Sequence, residues 1–529
     1  MIAIRSWPVL VAAALALAWL EFGPATPDLA AQVYRTRLFE REGWTIFDLY
    51  WYGGHHMPAY SALFPPLGAL LGVRVAGALA ALASAALFER IARRHFGDGA
   101  RWGALLFGAG TAADLLIGRL TFALGMAFAL GAVYALQHGR RAIGLALGAA
   151  CTLASPVAGL FLAMAGIAHW LVVRSRPGLW LAAATFTPAA VLSLLFPEGG
   201  SQPFPTVTLA AVVLCCGLLL WLLPAHERVL RTAVLLYLGA TLLAFAVASP
   251  MGGNASRLGV AFAGPLLLCA ALPAGASAQR RRLVLAAAVP LVIWQWWAPV
   301  RETLKGAADP SAQVAYFRPL LTFLEDRADA APVRVEVPFT RLHWEAVHVA
   351  RSTSLARGWE TQLDVKYDAL FRGPPLTPQR YRAWLRRDGV HYVALADVAL
   401  DPSGRAEAGL IRRGLPFLRP VFRDRHWRVF EVLDTPGLTD GVGRLQRIGS
   451  QSFTLRAPRP GATLVRVHYT PYWQVTRGRG CVTRAGGGWT LVRAARAGTI
   501  RVEAAFAPLR ILDRGARCSG ARPAARGRS

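Results

Sequence analysis

The sequence of 529 residues is poor in charged groups, in acidic groups above all, and in cysteine. Only 17% of the residues are charged, against about 25% in an ordinary soluble domain. The hydrophobic fraction, by contrast, is 54%. A chain of this composition hides apolar surface in lipid as well as in a protein core, which excludes a wholly soluble protein. We therefore predict an integral membrane protein.

Acidic residues are scarce: 30 Asp and Glu stand against 58 Lys and Arg, which gives a formal net charge of +28. Such an excess can indicate a nucleic-acid partner. Here nearly all the basic residues are arginine, and much of this arginine flanks apolar segments, where positive charge sets membrane topology. We therefore expect no nucleic-acid partner, and we expect membrane lipids or a lipid phosphate to meet the remaining charge.

The six cysteines fall into two groups. Cys481 and Cys518 lie in the C-terminal region, on the side predicted below to be oxidising, so a disulfide between them is expected, two unpaired thiols being the alternative. No Cys/His spacing is typical of zinc, and we expect no metal and no cofactor. The other four lie in apolar segments, where a buried thiol behaves as a small hydrophobe: Cys151, Cys215, Cys216 and Cys269.

Long apolar runs fill the first 300 residues and predict about eleven transmembrane helices. The first run is an alternative candidate for a cleaved signal peptide, but Leu20–Gly23 lacks the small-residue cleavage pattern, so an uncleaved span is expected. The predicted spans are Trp7–Leu20, Ser61–Phe88, Gly103–Ile117, Thr121–Leu136, Ala142–Leu153, Val157–Val173, Leu179–Phe196, Val207–Leu223, Ala233–Ala248, Val260–Leu272 and Leu283–Val300.

Arginine is concentrated in alternate loops between these runs, and positively charged loops stay in the cytoplasm. This asymmetry predicts a multi-pass protein of the cell (cytoplasmic) membrane with a cytoplasmic N-terminus. The long first loop, residues 21–60, and everything after residue 300 are then extracytoplasmic. The loops predicted to be cytoplasmic contain Arg90–Arg101, Arg140–Arg141, Arg174–Arg176, Arg228–Arg231 and Arg280–Arg282.

Three regions are expected: a transmembrane domain over residues 1–300, a mixed α/β domain over 301–434, and a mostly β module over 435–529 with a basic, disordered tail. Helical periodicity occurs at Tyr316–Asp326 and Pro378–Asp388, whereas strand-like alternation occurs at Val333–Pro338 and His391–Ala396. After Thr435 strand signals dominate, which favours a small β-sandwich-like module.

The first outward loop carries the richest set of polar and aromatic groups. Asp28 follows Pro27 and is either the N-cap of a helix or a catalytic carboxylate. Asp48 is a second candidate catalytic acid, with a supporting or acceptor-side role, and it lies among aromatic residues, including Tyr52, that form an interfacial belt or stack on a sugar. After the flexible pair Gly53-Gly54, His55 and His56 are candidates for binding a phosphate or a proton, the alternative being simple exposure.

Two further outward turns carry charged candidates. Asp114 and Arg119 flank the turn between the third and fourth spans, where they either pair with each other or belong to a site. Asn254 and Arg257 lie at another outward mouth. Arg257 either clamps a lipid phosphate or is a snorkelling interfacial arginine. All these candidates fall on the same face of the membrane if the predicted topology holds.

The motif Asp28…Gly43…Trp51-Tyr52-Gly53-Gly54…Tyr60…Phe64-Pro65-Pro66-Leu67, followed by many spans and an outward C-terminal region, resembles the GT-C class of polytopic glycosyltransferases. More narrowly, it is similar to bacterial GT-C-like membrane proteins labelled "6-pyruvoyl-tetrahydropterin synthase-related", a label that implies no pterin chemistry here. Gly118–Gly125 and Leu355–Asp364 resemble actinobacterial proteins of the same kind.

The resemblance implies a GT-C-like fold and a polyprenyl-phosphate sugar donor, with a glycan, lipid or protein of the cell envelope as acceptor. It also implies that Asp28, the acid of the first outward loop, is a general base that activates the acceptor hydroxyl. Asp28 is followed by Leu29 and not by a second acid, which disfavours a metal-dependent version. Two other functions stay open: a lipid or glycolipid transporter or flippase, and a catalytically silent GT-C-like scaffold.

Overall fold

The computed structural model describes residues 7–272, 275–328, 331–512 and 518. The chain divides into two compact units. The membrane unit contains the chain up to Gly43 together with Pro58–Ala308, and the second unit contains Trp44–Met57 together with the chain from Asp309 onward. The boundary near residue 308 agrees with the end of the apolar runs. The predicted transmembrane domain, residues 1–300, included Trp44–Met57, whereas in the structure this segment belongs to the second unit.

The membrane unit is built of helices, and each of the predicted spans coincides with one. Ser61–Phe88 is the exception in detail, because it is broken at Gly72 (φ +87°) into a short helix and a long one. The helices are α1 Trp7–Phe22, α2 Pro27–Glu42, α3 Phe64–Leu71, α4 Val73–Phe96, α5 Ala100–Ile117, α6 Leu120–Gln137, α7 Arg141–Ala154, α8 Pro156–Val173, α9 Arg176–Leu195, α10 Thr206–Leu222, α11 Arg228–Ala246, α12 Ser256–Ala271 and α13 Ala278–Gly306.

Seven stretches of the described chain are long and apolar enough to cross a membrane, one of them the continuous pair α4–α5. The bent pair α1 and α2, which meet at 77°, makes an eighth if it counts as one span. Helices α7 and α10 are apolar but shorter than 18 residues. The chain is therefore a polytopic helical membrane protein, as the hydropathy pattern predicts.

Loops predicted to share a membrane face contact one another. At one end of the helices, the Gln202 amide donates to the Ser249 carbonyl at 2.9 Å. At the other end, His95 and Glu227 approach to 3.1 Å. The contacts Gln202–Ser249 and His95–Glu227 each join two loops that the arginine placement predicts on the same membrane face.

The second unit is mixed α/β followed by β, the order that its sequence pattern predicts. Its short elements after Asp309 include strands that the sequence did not predict, such as β12 and β13. The elements are β1 Phe47–Asp48, β2 His55–His56, α14 Val314–Ala328, β3 Arg334–Glu336, α15 Glu345–His348, β4 Ser354–Leu355, α16 Thr361–Tyr367, α17 Pro378–Arg387, β5 Tyr392–Ala396, α18 Pro402–Arg413, β6 Leu418–Arg423, β7 Trp427–Val432, β8 Thr439–Gly441, β9 Arg444–Ile448, β10 Ser452–Ala457, β11 Gly461–His468, β12 Trp473–Arg477, β13 Gly480–Arg484, β14 Trp489–Ala494 and β15 Gly498–Ala504.

Three sheets organise the second unit. The first has five strands in the order β4-β3-β5-β7-β6, parallel from β4 to β5 and antiparallel thereafter. Two antiparallel four-stranded sheets, β12-β15-β10-β9 and β13-β14-β11-β8, share one hydrophobic core. Alternate residues of β10 and β15, such as Phe453, Leu455 and Val502, point into this core. This arrangement is the expected β-sandwich.

Residues of the first loop complete the core of the second unit. Phe47 and Leu49 belong to the sandwich core. The Leu49 amide donates to the Ser450 carbonyl at 2.8 Å, and Trp51 is fully buried, its indole N–H donating to the Ala346 carbonyl at 3.0 Å. The long first loop is thus divided: its middle folds with the C-terminal region, and its two ends stay with the helices.

Candidate active site

Asp28 lies in the first turn of α2, but it is not the N-cap residue. Thr26 holds that position with extended backbone, Pro27 is the first helical residue, and neither Thr26 nor Asp28 caps the helix through its side chain. The N-cap interpretation of Asp28 is therefore wrong. Its carboxylate is about one-third exposed, and Oδ2 lies 3.4 Å from Nε of Arg119. The acid is held at a helix N-terminus, where negative charge is favoured, with one face open.

The turn between α5 and α6 places Arg119 beside Asp28. Gly118 ends α5 in the left-handed conformation (φ +87°), and a Cβ there would lie 2.4 Å from the Leu29 nitrogen. Only glycine allows the turn to approach α2 this closely. The Thr26 hydroxyl, which donates to the Ile117 carbonyl at 2.9 Å, fixes the same contact. Gly118 thus admits the close approach, and Arg119 pairs with the acid.

One face of α2 continues the polar site beyond Asp28. Gln32 and Arg35 follow at helical spacing and are both buried. Gln32 donates to the Tyr60 hydroxyl at 3.2 Å, and the Arg35 guanidinium lies 3.9 Å from the centre of the Tyr60 ring. Sequence reasoning missed Gln32 and Arg35 as site residues. The signal was the spacing of polar residues four and seven positions after Asp28 in an outward helix.

Arg257 faces the same region from the start of α12. It lies within electrostatic range of Asp28, Arg119, Asp114 and Tyr60. Its Nε is buried and, within the described residues, has no hydrogen-bond partner. A buried N–H of a guanidinium is costly to leave unpaired, so this donor is suited to an acceptor brought by a ligand.

Asp114 and Asn254 have different surroundings. Asp114, in the last turn of α5, is an electrostatic neighbour of Arg119, Arg257 and Asp28. Its carbonyl also accepts the Arg119 amide at 2.9 Å, which shapes the turn. Asn254 is buried in a short 3₁₀ turn, where its side-chain amide donates to the Pro250 carbonyl at 3.4 Å. Asn254 therefore shapes the loop that presents Arg257.

An apolar cavity of about 240 Å³ begins next to Arg257. The Arg257 guanidinium lies 5.6 Å from the centre of the Phe122 ring, and Phe122, Leu258 and Gly259 line the cavity. From there it follows α6 and α12 between α8, α10 and α11 as far as Val133 and Leu266. A polar head region and an apolar space of several helical turns are therefore adjacent, an arrangement that fits an amphipathic ligand with an anionic head.

The other residues of the loop lie in the core of the second unit. Asp48, Tyr52, His55 and His56 are all at most 6% exposed. Asp48 accepts the Tyr50 amide at 3.2 Å and lies 4.0 Å from His55, while His56 shares a hydrogen bond with Thr470. The Tyr52 hydroxyl donates to the Gly358 carbonyl at 2.8 Å, and burial raises its pKa. These four residues are therefore buried and make their contacts within the second unit.

Arg357, in the segment Leu355–Asp364, is the centre of a buried charge network in the second unit. Arg357 is fully buried and donates to Glu336 and to Glu407, whose other oxygen accepts from the Tyr381 hydroxyl at 2.7 Å. Burial raises the pKa of Glu336 and Glu407, and the pairing with both carboxylates raises that of Arg357. One guanidinium thus joins Glu336 of β3 to Glu407 of α18, so the network holds this helix against the sheet.

The C-terminal part is covalently tied. Cys481 in β13 and Cys518 form a disulfide with a Cα–Cα separation of 5.5 Å. The four cysteines of the helices are buried thiols. Among the described residues no group of three or more His, Cys, Asp or Glu side chains has the geometry to hold a metal ion.

Comparisons with known proteins give structural neighbours only. No protein-family model matches the sequence, and no curated protein matches it either. The mycobacterial arabinofuranosyltransferase AftD is similar in structure, with 14% identity and a TM-score of 0.45 over 95% of this chain; the match covers 57% of AftD, so the chain spans little more than half its length. ArnT from Cupriavidus metallidurans is similar with 13% identity and a TM-score of 0.39, over 80% of this chain and 98% of ArnT. Both neighbours are GT-C glycosyltransferases, the class that the sequence resembles.

Proposed function

We propose that this protein is an integral-membrane glycosyltransferase that moves a sugar from a polyprenyl-phosphate donor to an acceptor hydroxyl of the cell envelope. One observation carries the proposal: a carboxylate, an arginine and an apolar cavity lie together. Asp28 is partly exposed, and the buried Nε of Arg257 has no protein partner among the described residues. The apolar cavity begins next to Arg257. A lipid-linked donor needs each of these parts: a base, an anion site and a place for the chain.

The charges favour the donor phosphate at Arg257. Asp28 already has Arg119 as its partner at 3.4 Å, whereas Arg257 has a free buried donor and stands beside Phe122 at the cavity entrance. A guanidinium binds phosphate oxygens through parallel N–H groups. In this pose the first isoprene units enter the cavity along α6 and α12, and the sugar lies towards α2.

The chemistry follows from these positions. The Asp28 carboxylate removes the proton from the acceptor hydroxyl, and the hydroxyl oxygen forms a bond to the anomeric carbon of the sugar. The bond between that carbon and the phosphate oxygen breaks, and polyprenyl phosphate leaves with the electron pair. Arg257, with Arg119 nearby, stabilises the charge that develops on the phosphate. Tyr60, held by Gln32 and Arg35, borders the acceptor side.

The proposed orientation puts this chemistry on the extracytoplasmic face, because the arginine-rich loops lie at the opposite end of the helices. The acceptor is then a glycan, lipid or protein outside the cytoplasmic membrane. The disulfide between Cys481 and Cys518 supports this side for the second unit, since disulfides persist in oxidising compartments.

The test is sugar transfer by the purified full-length protein, with radiolabelled polyprenyl-phosphate sugars and envelope acceptors. We expect Asp28→Asn to lower turnover by about 10²–10⁴-fold, the range for loss of a general base. Asp98→Asn is the control. Asp98 is exposed and lies just before the first residue of α5, whereas Arg119 follows the last residue of that helix. Arg257→Gln should raise KM for the donor and lower kcat, and Arg257→Lys should restore part of both.

The outcomes separate the alternatives. Equal transfer by wild type and a folded Asp28→Asn variant contradicts the role of Asp28 as base. Donor binding without turnover, for every sugar and acceptor supplied, contradicts the enzyme and favours a silent scaffold. Thermal unfolding in detergent shows whether each variant retains the fold.

A further inference from the structure

A second groove lies on the opposite side of α6 from the cavity at Arg257. It has a volume of about 490 Å³ and is enclosed by α3, α4, α6 and α7. The two spaces are lined by different faces of α6. Residues such as Leu124, Phe128 and Gly131 line the groove, whereas residues such as Met126 and Leu130 line the other cavity. The two spaces are therefore separate, and the second groove has no part in the proposed transfer.

The groove opens towards the lipid. Its lining includes Leu79 and Ile143, which are 48% and 50% exposed, and the exposed Ala83. Along α6 it runs from Leu124 to His138, which corresponds to about 21 Å of helix. An apolar trough of this length at the outside of a helical bundle matches an acyl chain in a bilayer leaflet.

One end of the groove is basic. His138 and Arg140 line it there, and Arg141 follows as the first residue of α7. The His138 ring donates its Nδ1–H to the Tyr134 carbonyl at 2.8 Å, so Nε2 donates to a phosphate only in the protonated ring, and Arg140 supplies the permanent positive charge. Within the described part of the chain, no carboxylate forms an ion pair with Arg140 or Arg141. This end lies at the far end of the 18-residue helix α6 from Arg119, about 27 Å away.

We propose that this groove binds an anionic phospholipid of the bilayer, with its phosphate at His138 and Arg140 and an acyl chain along α6. Charge complementarity selects the occupant. A zwitterionic lipid brings its own cation to the phosphate and gains little from two adjacent arginines, whereas an anionic headgroup supplies the missing counter-charge. The apolar lining of the groove along α6 favours a bilayer lipid over a free phosphate, because a free phosphate has no acyl chain to contact that lining.

The test is native mass spectrometry of the full-length protein, after exchange into micelles that contain equal amounts of phosphatidylglycerol and phosphatidylcholine with the same acyl chains. We expect wild type to retain phosphatidylglycerol preferentially. Arg140→Gln should reduce that retention about fivefold, the effect of one basic residue at an anionic lipid surface. Ala83→Trp, which fills the trough from an exposed position, should abolish it.

Matched controls keep the result specific. Arg176→Gln removes an arginine that is also exposed at the start of a helix, and Ala183→Trp adds a ring to an exposed position of α9 outside both cavities. Both should retain the lipid like wild type, with unfolding temperatures that match those of Arg140→Gln and Ala83→Trp. Equal retention of the two lipids by wild type overturns the proposal, as does unchanged retention in Arg140→Gln or in Ala83→Trp. Displacement of the retained lipid from wild type by added polyprenyl phosphate overturns it too, because the groove is then a donor site.

Discussion

Asp28 and Arg119 are 91 positions apart in the sequence and 3.4 Å apart in the structure. The ion pair holds the Asp28 carboxylate at the surface of α2 and leaves it partly exposed. Arg257 lies nearby, and its Nε–H has no hydrogen-bond partner among the described residues. Other candidate residues of the first loop make contacts within the second unit. Asp48 and His55, two candidates named from the sequence, are both buried in the second unit.

His391 gives the second unit a pH-dependent stability. Its Nδ1 accepts the Arg334 amide at 3.2 Å, and burial, with Arg334 nearby, lowers its pKa to about 4. The unfolded chain, with a pKa near 6.5, binds a proton between these values while the folded chain does not. The free energy of unfolding should therefore fall as pH falls from about 6.5 to 4, by at most about 3 kcal/mol.

Denaturant unfolding of the full-length protein over this pH range measures the effect. His391→Gln keeps a hydrogen-bond acceptor but does not titrate, so its profile should be flatter than that of wild type. Identical pH profiles for wild type and His391→Gln would contradict this assignment.

At the scale of elements, α6 separates two lipid-facing spaces and begins at the turn that carries Arg119. Small residues make this possible: Gly131 lies on the floor of the second groove, where a Cβ would come within 3.2 Å of Leu147. The break at Gly72 likewise ends α3 and starts α4 in a new direction. The elements thus position the site through their ends and turns, which hydropathy does not reveal.

Gly118→Ala tests the turn between α5 and α6. The substitution adds a Cβ 2.4 Å from the Leu29 nitrogen and forces a positive φ on alanine, which alone costs about 1–2 kcal/mol. We expect Arg119 to move from Asp28 and sugar transfer to fall at least about tenfold, since an ångström of misplacement is costly in catalysis.

Gly139→Ala is the control for strain. Gly139 also has a positive φ, +72°, but a Cβ there meets nothing within 4 Å. It should lose a similar small amount of stability and keep full transfer activity. If both variants lose transfer equally, backbone strain and not the close approach to α2 explains the effect.

At the scale of the whole molecule, the chain crosses between its two units twice before it reaches the C-terminal region. Trp44–Met57 belongs to the second unit, while the segments on both sides belong to the membrane unit. Backbone hydrogen bonds join this insert, Trp44–Met57, to Ser450, Leu355 and His468. These three residues are each about 300 to 400 positions further along the chain. Folding of the second unit therefore requires the N-terminal part of the chain.

Trp51→Ala tests this requirement. Trp51 is fully buried among residues of the second unit and donates to the Ala346 carbonyl. Truncation of a buried tryptophan costs about 3–5 kcal/mol. We expect hydrogen exchange in strands β10, β11 and β15 of the full-length protein to accelerate accordingly. Trp44→Ala, whose side chain is 59% exposed, should leave exchange in these strands unchanged, and slow exchange in Trp51→Ala would show that the insert is dispensable.

The sequence by itself determined the membrane helices and part of the later strands, among them β10, β11, β14 and β15. Twenty-residue apolar runs have no stable place in water, and strict alternation in segments such as Ser452–Ala457 suits only a half-buried strand, so these local patterns suffice. It also identified Asp28, Arg119 and Arg257 as charged groups at predicted outward turns. Very short strands such as β1 and β4 carry too few residues for a pattern and were not predicted.

Only the tertiary structure decided which of these groups meet. The pairing of Asp28 with Arg119, the addition of Gln32, Arg35 and Tyr60, and the apolar cavity beside Arg257 depend on helix packing between distant segments. The division of the first loop does so too, because Phe47, Leu49 and Trp51 are apolar enough for either unit, and only the partners that bury them decide between the two. Local patterns fix how a segment folds; long-range packing fixes where its side chains end up.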